Sequence, residues 1–286
     1  MRILHNFDLT AYNSYRIKSV CKKAIFPDTE EDIVKFFSDN LDKKPIILGG
    51  GCNVIFAQEY YEEDFVIFND NFSAVNLLEN NVIEAEAGLS LLKLSEFALE
   101  NSLSGLEVFN DIPGTVGGAV IMNAGASGEE IKDVLIKVRY LDLLDMQIKE
   151  LYNDEIGFEY RNTYFQKNTN NIVLKAWLQL QPKSKSEIES KIQELKSKRW
   201  EKQPREFPNA GSVFKRPKGY FVGQMIDELG LKGFIIGGAQ ISRKHGGFIV
   251  NIGNATGKDV LAVINEVKKQ VLIRFGVNLE IEQRIV

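Results

Sequence analysis

The sequence predicts an α+β protein. Three observations lead there: short apolar runs end in glycine clusters, amphipathic stretches of helical period lie between them, and a polar helical stretch near residue 190 separates the first 180 residues from the rest. At 286 residues, 44% hydrophobic and 26% charged, the chain can bury a large core and has room for one to three domains. Its formal charge of -4 argues against nucleic acid and anionic membranes as partners, since either would call for a basic field. Any anionic ligand must therefore be held by local donors.

Asp28 precedes Thr29-Glu30-Glu31 and can cap a helix whose apolar stripe is Ile33, Val34 and Phe37. Pro45-Ile46-Ile47-Leu48 then reads as a buried strand that opens into Gly49-Gly50-Gly51. Phe65–Phe68 and Val82–Ala87 are further strands, and Leu91, Leu94 and Ala98 mark a helix after Gly88. A second glycine-rich stretch, Ile112 to Val120, is followed by Asn123-Ala124-Gly125-Ala126 and by strands over Leu135–Asp142 and Ile172–Leu180. Ser186 with Glu189 has the capping-box spacing, and Ile188, Ile192 and Leu195 give that connector helix one apolar face up to about Arg199. A domain boundary is expected between Lys183 and Trp200.

Beyond it, Val222, Met225, Ile226 and Leu229 form a helix closed by Gly230, and Phe248–Val250 is a strand. Thr256 to Phe275 is a helix capped by Thr256 and Asp259, and the alternating tail Asn278–Val286 reads as a last strand. There is no internal repeat.

Consecutive glycines let backbone N–H groups approach an anion, because no Cβ stands in the way and positive φ is allowed. Tight turns are the competing reading of each cluster alone. Neither cluster is a P-loop or a GxGxxG fingerprint, and Gly253 to Asp259 has the wrong spacing for either. A dinucleotide would have to be bound in another manner, with its pyrophosphate on loop amides. Cys21 and Cys52 are too far apart for a CxxC motif, and with only two histidines no metal site is expected. Both thiols are expected to be reduced. No run approaches a membrane span and the start turns polar early, so a cytoplasmic protein is expected.

Several segments together resemble the UDP-N-acetylenolpyruvoylglucosamine reductase family, the MurB enzymes. Leu48-Gly49-Gly50-Gly51-Cys52-Asn53-Val54 is similar to the family's first flavin loop, which usually carries Ser where Cys52 stands. Pro113-Gly114-Thr115-Val116-Gly117-Gly118-Ala119 with Asn123-Ala124-Gly125 is similar to the second. More specific are Gly157 to Asn162, Lys202-Gln203-Pro204, Pro208 to Lys215, and Leu279 to Arg284, in family order and spacing. The short path from Arg161 to Ser212 resembles the subclass lacking the substrate-capping insertion.

The resemblance implies a vanillyl-alcohol-oxidase type FAD-binding domain in two lobes, 1–70 and 71–183, followed by a linker helix and an α+β substrate-binding domain over 184–286. It implies FAD and NADPH as cofactors, a UDP-sugar enolpyruvyl ether as substrate, a role in peptidoglycan precursor synthesis, and a monomer. Ser212 takes the place of the proton donor, and Arg161 and Glu282 that of the pair serving the substrate carboxylate, where Glu282 would need a raised pKa. Tyr160, Lys202, Lys215 and Arg284 are candidate substrate contacts. Read without the resemblance, Arg161 is a surface arginine in a turn, Ser212 a turn hydroxyl, Glu282 a strand-surface residue, and His245 a residue of the fold.

The chain departs from the family at Lys18-Ser19, Arg216 and Gly246-Gly247, all around ligand loops. Three alternatives therefore stay open: a paralogue acting on another UDP-sugar, a flavin dehydrogenase of the same fold, and a catalytically silent nucleotide-sugar-binding protein.

Overall fold

Leu135–Asp142 and Asn171–Gln179 alternate inward apolar residues, with Val138, Leu141, Leu174, Ala176 and Leu178 fully buried. In the computed structural model, which describes residues 1–286, they form the centre of a five-stranded antiparallel sheet. Its order is Gln147–Tyr152, Leu135–Asp142, Asn171–Gln179, Val82–Glu86, Val75–Leu78. The register pairs Val138 with Leu151 on one side and Ala176 on the other, and Ala176 with Ala85. Helices Leu91–Glu100 and Val116–Met122 contribute Leu91, Leu94, Ala98, Val116, Ala119 and Val120 to the same core.

The chain folds into two compact units, each built from three separate segments of the sequence. The first comprises residues 1–4, 24–50 and 64–198; the second comprises 5–23, 51–63 and 199–286. The chain passes from one to the other inside the first glycine cluster, between Gly50 and Gly51. Besides the five-stranded sheet, the first unit contains a parallel pairing of Ile46–Leu48 with Phe65–Ile67.

In the second unit, Ile235–Ile236, Ala239–Ile241 and Ile249–Asn251 form a small antiparallel sheet. Helix Gly257–Phe275 packs on it and buries Val260, Val263, Ile264, Val267 and Val271. The expected capping box at Thr256 and Asp259 is present, and Gly276 ends the helix in the left-handed conformation.

Local expectations were corrected at five places. Thr29, not Asp28, caps helix Glu30–Ser38, because the Asp28 carboxylate is engaged by the Met1 ammonium and Asn71. Ser184 and Glu187, not Ser186 and Glu189, bond to each other at the start of helix Lys185–Lys202. The second glycine stretch is helical over Val116–Met122. The strand expected at Phe248–Val250 is Ile249–Asn251. Of the tail, only Arg284–Ile285 is a strand, parallel to Val54–Ile55. No helix is long and apolar enough to cross a membrane.

Candidate active site

In the first unit the two glycine segments meet at Thr115. A Cβ on Gly49 would lie 2.5 Å from the Thr115 hydroxyl oxygen, and one on Gly118 would lie 3.5 Å from it. Gly49 must therefore be glycine if this approach is to survive. Gly114 enters the segment at φ +138, a backbone region that excludes most side chains. Two amides of the segment are already committed: Val116 donates to the Leu89 carbonyl and Gly117 to that of Ala87, each at 2.9 Å. These bonds press the helix onto the end of strand Val82–Glu86, where a Cβ on Gly117 would come 2.9 Å from that of Ala87.

Helix Val116–Met122 ends at Asn123, which is left-handed at φ 44 and fully buried. Its Nδ2 donates to Glu130 Oε2 at 2.9 Å and to the Glu159 carbonyl at 3.1 Å, while its Oδ1 is buried without a protein partner. Arg161 reaches the same turn: Nη1 donates to the Asn123 carbonyl at 2.8 Å and Nη2 to that of Gly125 at 2.7 Å. Glu130 Oε1 lies 3.8 Å from Nη1, and the guanidinium sits 5.2 Å from the centre of the Tyr160 ring. A tight turn, closed by reciprocal backbone bonds between Glu159 and Asn162, holds Arg161 at φ 52. Arg161 and Tyr160 are thus joined to the second glycine segment.

The bare backbones of Gly49 and Gly118 beside the Thr115 hydroxyl fit the approach of an anionic pyrophosphate, and the buried Asn123 Oδ1 is an acceptor without a protein partner, so the residues present fit a flavin dinucleotide. No group of three or more His, Cys, Asp or Glu residues could hold a metal ion.

In the second unit, Gly51 has φ 63 and a Cβ there would fall 1.9 Å from the Tyr12 carbonyl, so only glycine fits. Asn53 follows; its Nδ2 donates to the Glu282 carbonyl at 3.3 Å, and its own carbonyl accepts the Arg284 amide at 2.9 Å. Burial pushes the Cys52 thiol up, opposed by a hydrogen bond with Ser14 and the charge of Arg16.

The Pro208–Lys215 segment turns through Gly211 at φ 78, where Asn209 Oδ1 accepts the Gly211 amide at 3.2 Å. It then runs between two others. Ser212 pairs with Phe248 and Phe214 with Ile281; the Val213 amide donates to Gly247, and the Val213 carbonyl accepts from Glu282 at 2.8 Å. Ser212, exposed, and Glu282, half-buried, are therefore carried on adjoining hydrogen-bonded segments. Lys215 Nζ lies 2.5 Å from Glu280 Oε1, while Arg284 and Lys202 are exposed.

Three polar residues outside the expected set brace this region. Tyr15 donates its hydroxyl to Gln283 Oε1 at 3.0 Å, Gln283 Nε2 donates to the Ala210 carbonyl at 2.9 Å, and Asn251 Nδ2 donates to the Tyr15 carbonyl at 2.8 Å. In the first unit Glu130 was likewise not anticipated. The signal that could have found it is the Glu130/Asp133 spacing, a capping box in the structure.

Residues 22–149 match the FAD binding domain family, and residues 203–286 match the family described as UDP-N-acetylenolpyruvoylglucosamine reductase, C-terminal domain. A UDP-N-acetylenolpyruvoylglucosamine reductase of Francisella tularensis is 42% identical, the match covering 97% of this chain and 98% of the relative. One of Syntrophomonas wolfei is 39% identical over 100% of this chain and 95% of the relative. The crystal structure of the Thermus caldophilus reductase (MurB) superposes with a TM-score of 0.84 at 31% identity, covering 99% of this chain and 98% of that one. These matches bear out the expected flavin domain followed by a reductase C-terminal domain. With near-complete coverage on both sides, the chain belongs to the UDP-N-acetylenolpyruvoylglucosamine reductase (MurB) family of FAD-dependent oxidoreductases.

Proposed function

We propose that this protein reduces UDP-N-acetylglucosamine enolpyruvate to UDP-N-acetylmuramate with NADPH, a step in peptidoglycan precursor synthesis. The observation that carries the reading is the hydrogen-bonded pairing of the Ser212 and Glu282 segments within the region matching the reductase C-terminal domain. FAD, when bound, would supply hydride transfer from NADPH to the methylene carbon of the enolpyruvyl group. The two substrates then use the site in turn.

Hydride arrival leaves an electron pair on the adjacent carbon and its carboxylate. The Ser212 hydroxyl donates the proton that this carbon takes up, and solvent restores the hydroxyl. Arg161 stabilises the carboxylate with a charge that persists at any working pH, and Glu282 shares a hydrogen bond with it. Gly49 to Val54, Pro113 to Ala119 and Asn123 to Gly125 would hold the flavin, while Tyr160, Lys202, Lys215 and Arg284 serve the substrate. By ligand, the division is 1–70 and 71–183 for the FAD lobes and 184–286 for the linker helix and substrate domain. The protein works as a cytoplasmic monomer.

The test is anaerobic. NADPH should bleach the flavin absorbance, and UDP-N-acetylglucosamine enolpyruvate should restore it. A flavin that NADPH bleaches but this enolpyruvyl ether leaves bleached would overturn the assignment.

A further inference from the structure

The Ser212 segment is held on one side by a turn, and that turn is built around an imidazole. Gly247 donates its N–H to His245 Nδ1 at 3.0 Å, and the Gly247 carbonyl accepts the Val213 N–H at 3.0 Å. Phe248, the next residue, pairs with Ser212 and meets the His245 ring edge-on at 4.8 Å. Ser242 closes the turn from behind: its hydroxyl accepts the Lys244 and His245 amides at 3.1 and 3.2 Å, and its amide donates to Phe248.

The two glycines are what this packing demands. A Cβ on Gly247 would stand 3.0 Å from His245 Cε1 and 3.2 Å from Nδ1, and one on Gly246 would stand 2.9 Å from Ile226 Cγ2. Gly247 therefore permits the imidazole to lie against the backbone that Ser212 and Val213 pair with, while Gly246 permits the close approach of Ile226.

We propose that His245 is a positioning residue for Ser212, fixing through Nδ1 and the Gly247 amide the backbone against which the serine is aligned. The inference rests on Ser212 acting as the proton donor. Nδ1 accepts only while unprotonated. Burial pushes the imidazole below its ordinary range; its own backbone hydrogen bond opposes this, Lys232 adds to it and Asp227 opposes it. Those two charges pair with each other at 2.7 Å, and on the turn itself Lys244 donates to the Trp200 carbonyl. The imidazole is thus neutral at neutral pH. As pH falls through its pKa, an N–H replaces the lone pair facing the Gly247 amide and the turn loses its tie.

The two half-reactions, followed by stopped flow in the FAD-loaded enzyme from about pH 5 to 8, give the test. Wild type should lose enolpyruvate reduction in acid while flavin reduction by NADPH holds. His245→Ala should slow enolpyruvate reduction about tenfold or more, because small misplacements of a reacting group are costly, and leave the NADPH step unchanged. Gly247→Ala should do the same, and the double variant should be no worse than His245→Ala, since both break one contact. Asn also accepts an amide two residues on but does not titrate. His245→Asn should therefore stay within about threefold of wild type at neutral pH and lose the acid fall.

Equal slowing of both half-reactions in His245→Ala, or an acid fall retained in His245→Asn, overturns the proposal. Ser212→Ala separates the two readings: an undiminished enolpyruvate step there removes Ser212 as donor whatever the His245 variants do.

Discussion

Arg161 sits where one guanidinium must serve a turn and a charge. Its φ of 52 costs an estimated ~1–3 kcal/mol, offset by the Glu159–Asn162 turn and by Gln166, which donates to the Arg161 carbonyl at 2.9 Å. Both terminal nitrogens bind carbonyls of the loop assigned to the flavin, a fork that a lysine ammonium cannot span. Arg161→Lys should therefore fold and still take up FAD, but with an affinity weakened about tenfold for the lost bond, and should lose most turnover. Flavin fluorescence titration and stopped flow measure the two effects, and near-normal values in both would leave Arg161 as an ordinary turn residue. Ser212 makes a sharper case, because it is exposed and its removal opens no cavity. Ser212→Ala should leave NADPH reduction of the flavin within about threefold, since that step uses no hydroxyl, while the enolpyruvate step falls about 10²–10⁴-fold. Equal slowing of the two would assign the serine to flavin positioning instead.

At the scale of elements, the start of helix Gly257–Phe275 ties local sequence to stability. Asp259 Oδ2 accepts the Thr256 amide at 2.9 Å and, more weakly, that of Gly238 at 3.4 Å; Thr256 Oγ1 accepts the Asp259 amide at 3.2 Å. The Thr256 amide bond comes first among the causes that hold this carboxyl below the usual range, with burial opposing it. A depressed acid contributes stability above its unfolded pKa, near 3.9, and loses that contribution as pH falls through the folded value. Asp259→Asn, which keeps an accepting oxygen but loses the charge, should cost about 0.3–1 kcal/mol at neutral pH in urea melts once solvent screening is counted, and the difference should shrink below about pH 4. A pH-independent gap would show that the charge plays no part. This cap was legible in the sequence because both partners lie three residues apart. Asp28 and Ser186 misled for the opposite reason: adjacent oxygens compete for a helix end, and for Asp28 the choice is made by Met1 and Asn71, far away in the chain. The helix over Val116–Met122 was hidden because glycine disfavours helix by about 1 kcal/mol, a local cost that packing of Gly117 on Ala87 overrides. The candidate site divides likewise. Its glycines and its Arg161, Ser212 and Glu282 could be located along the chain, whereas Tyr15, Asn251 and Gln283 act through long-range bonds that leave no local pattern.

Across the whole molecule, the flavin contacts proposed for the glycine segments are non-covalent, so the cofactor should be releasable. Burial keeps the Cys52 thiol protonated at neutral pH, so it lacks the thiolate that a covalent flavin bond would need. The purified protein should be yellow, and acid precipitation should send the colour into the supernatant. Because FAD binds the native chain and not the unfolded one, it stabilises by mass action, about 2.7 kcal/mol at a hundredfold excess over Kd. For a chain of this size that corresponds to a Tm roughly 4–5 °C above that of the stripped protein. The gain should also be local. Segments 49–54 and 113–125 contain glycines whose positive φ or close approach limits what other contacts can hold them, so hydrogen exchange there should slow most on flavin addition. Helix Gly257–Phe275, anchored by its own apolar face, should change little. Flavin that stays with the acid pellet would make Cys52 a covalent anchor. A Tm unmoved by FAD, or protection spread evenly over both segments and that helix, would remove the glycine loops as the binding surface.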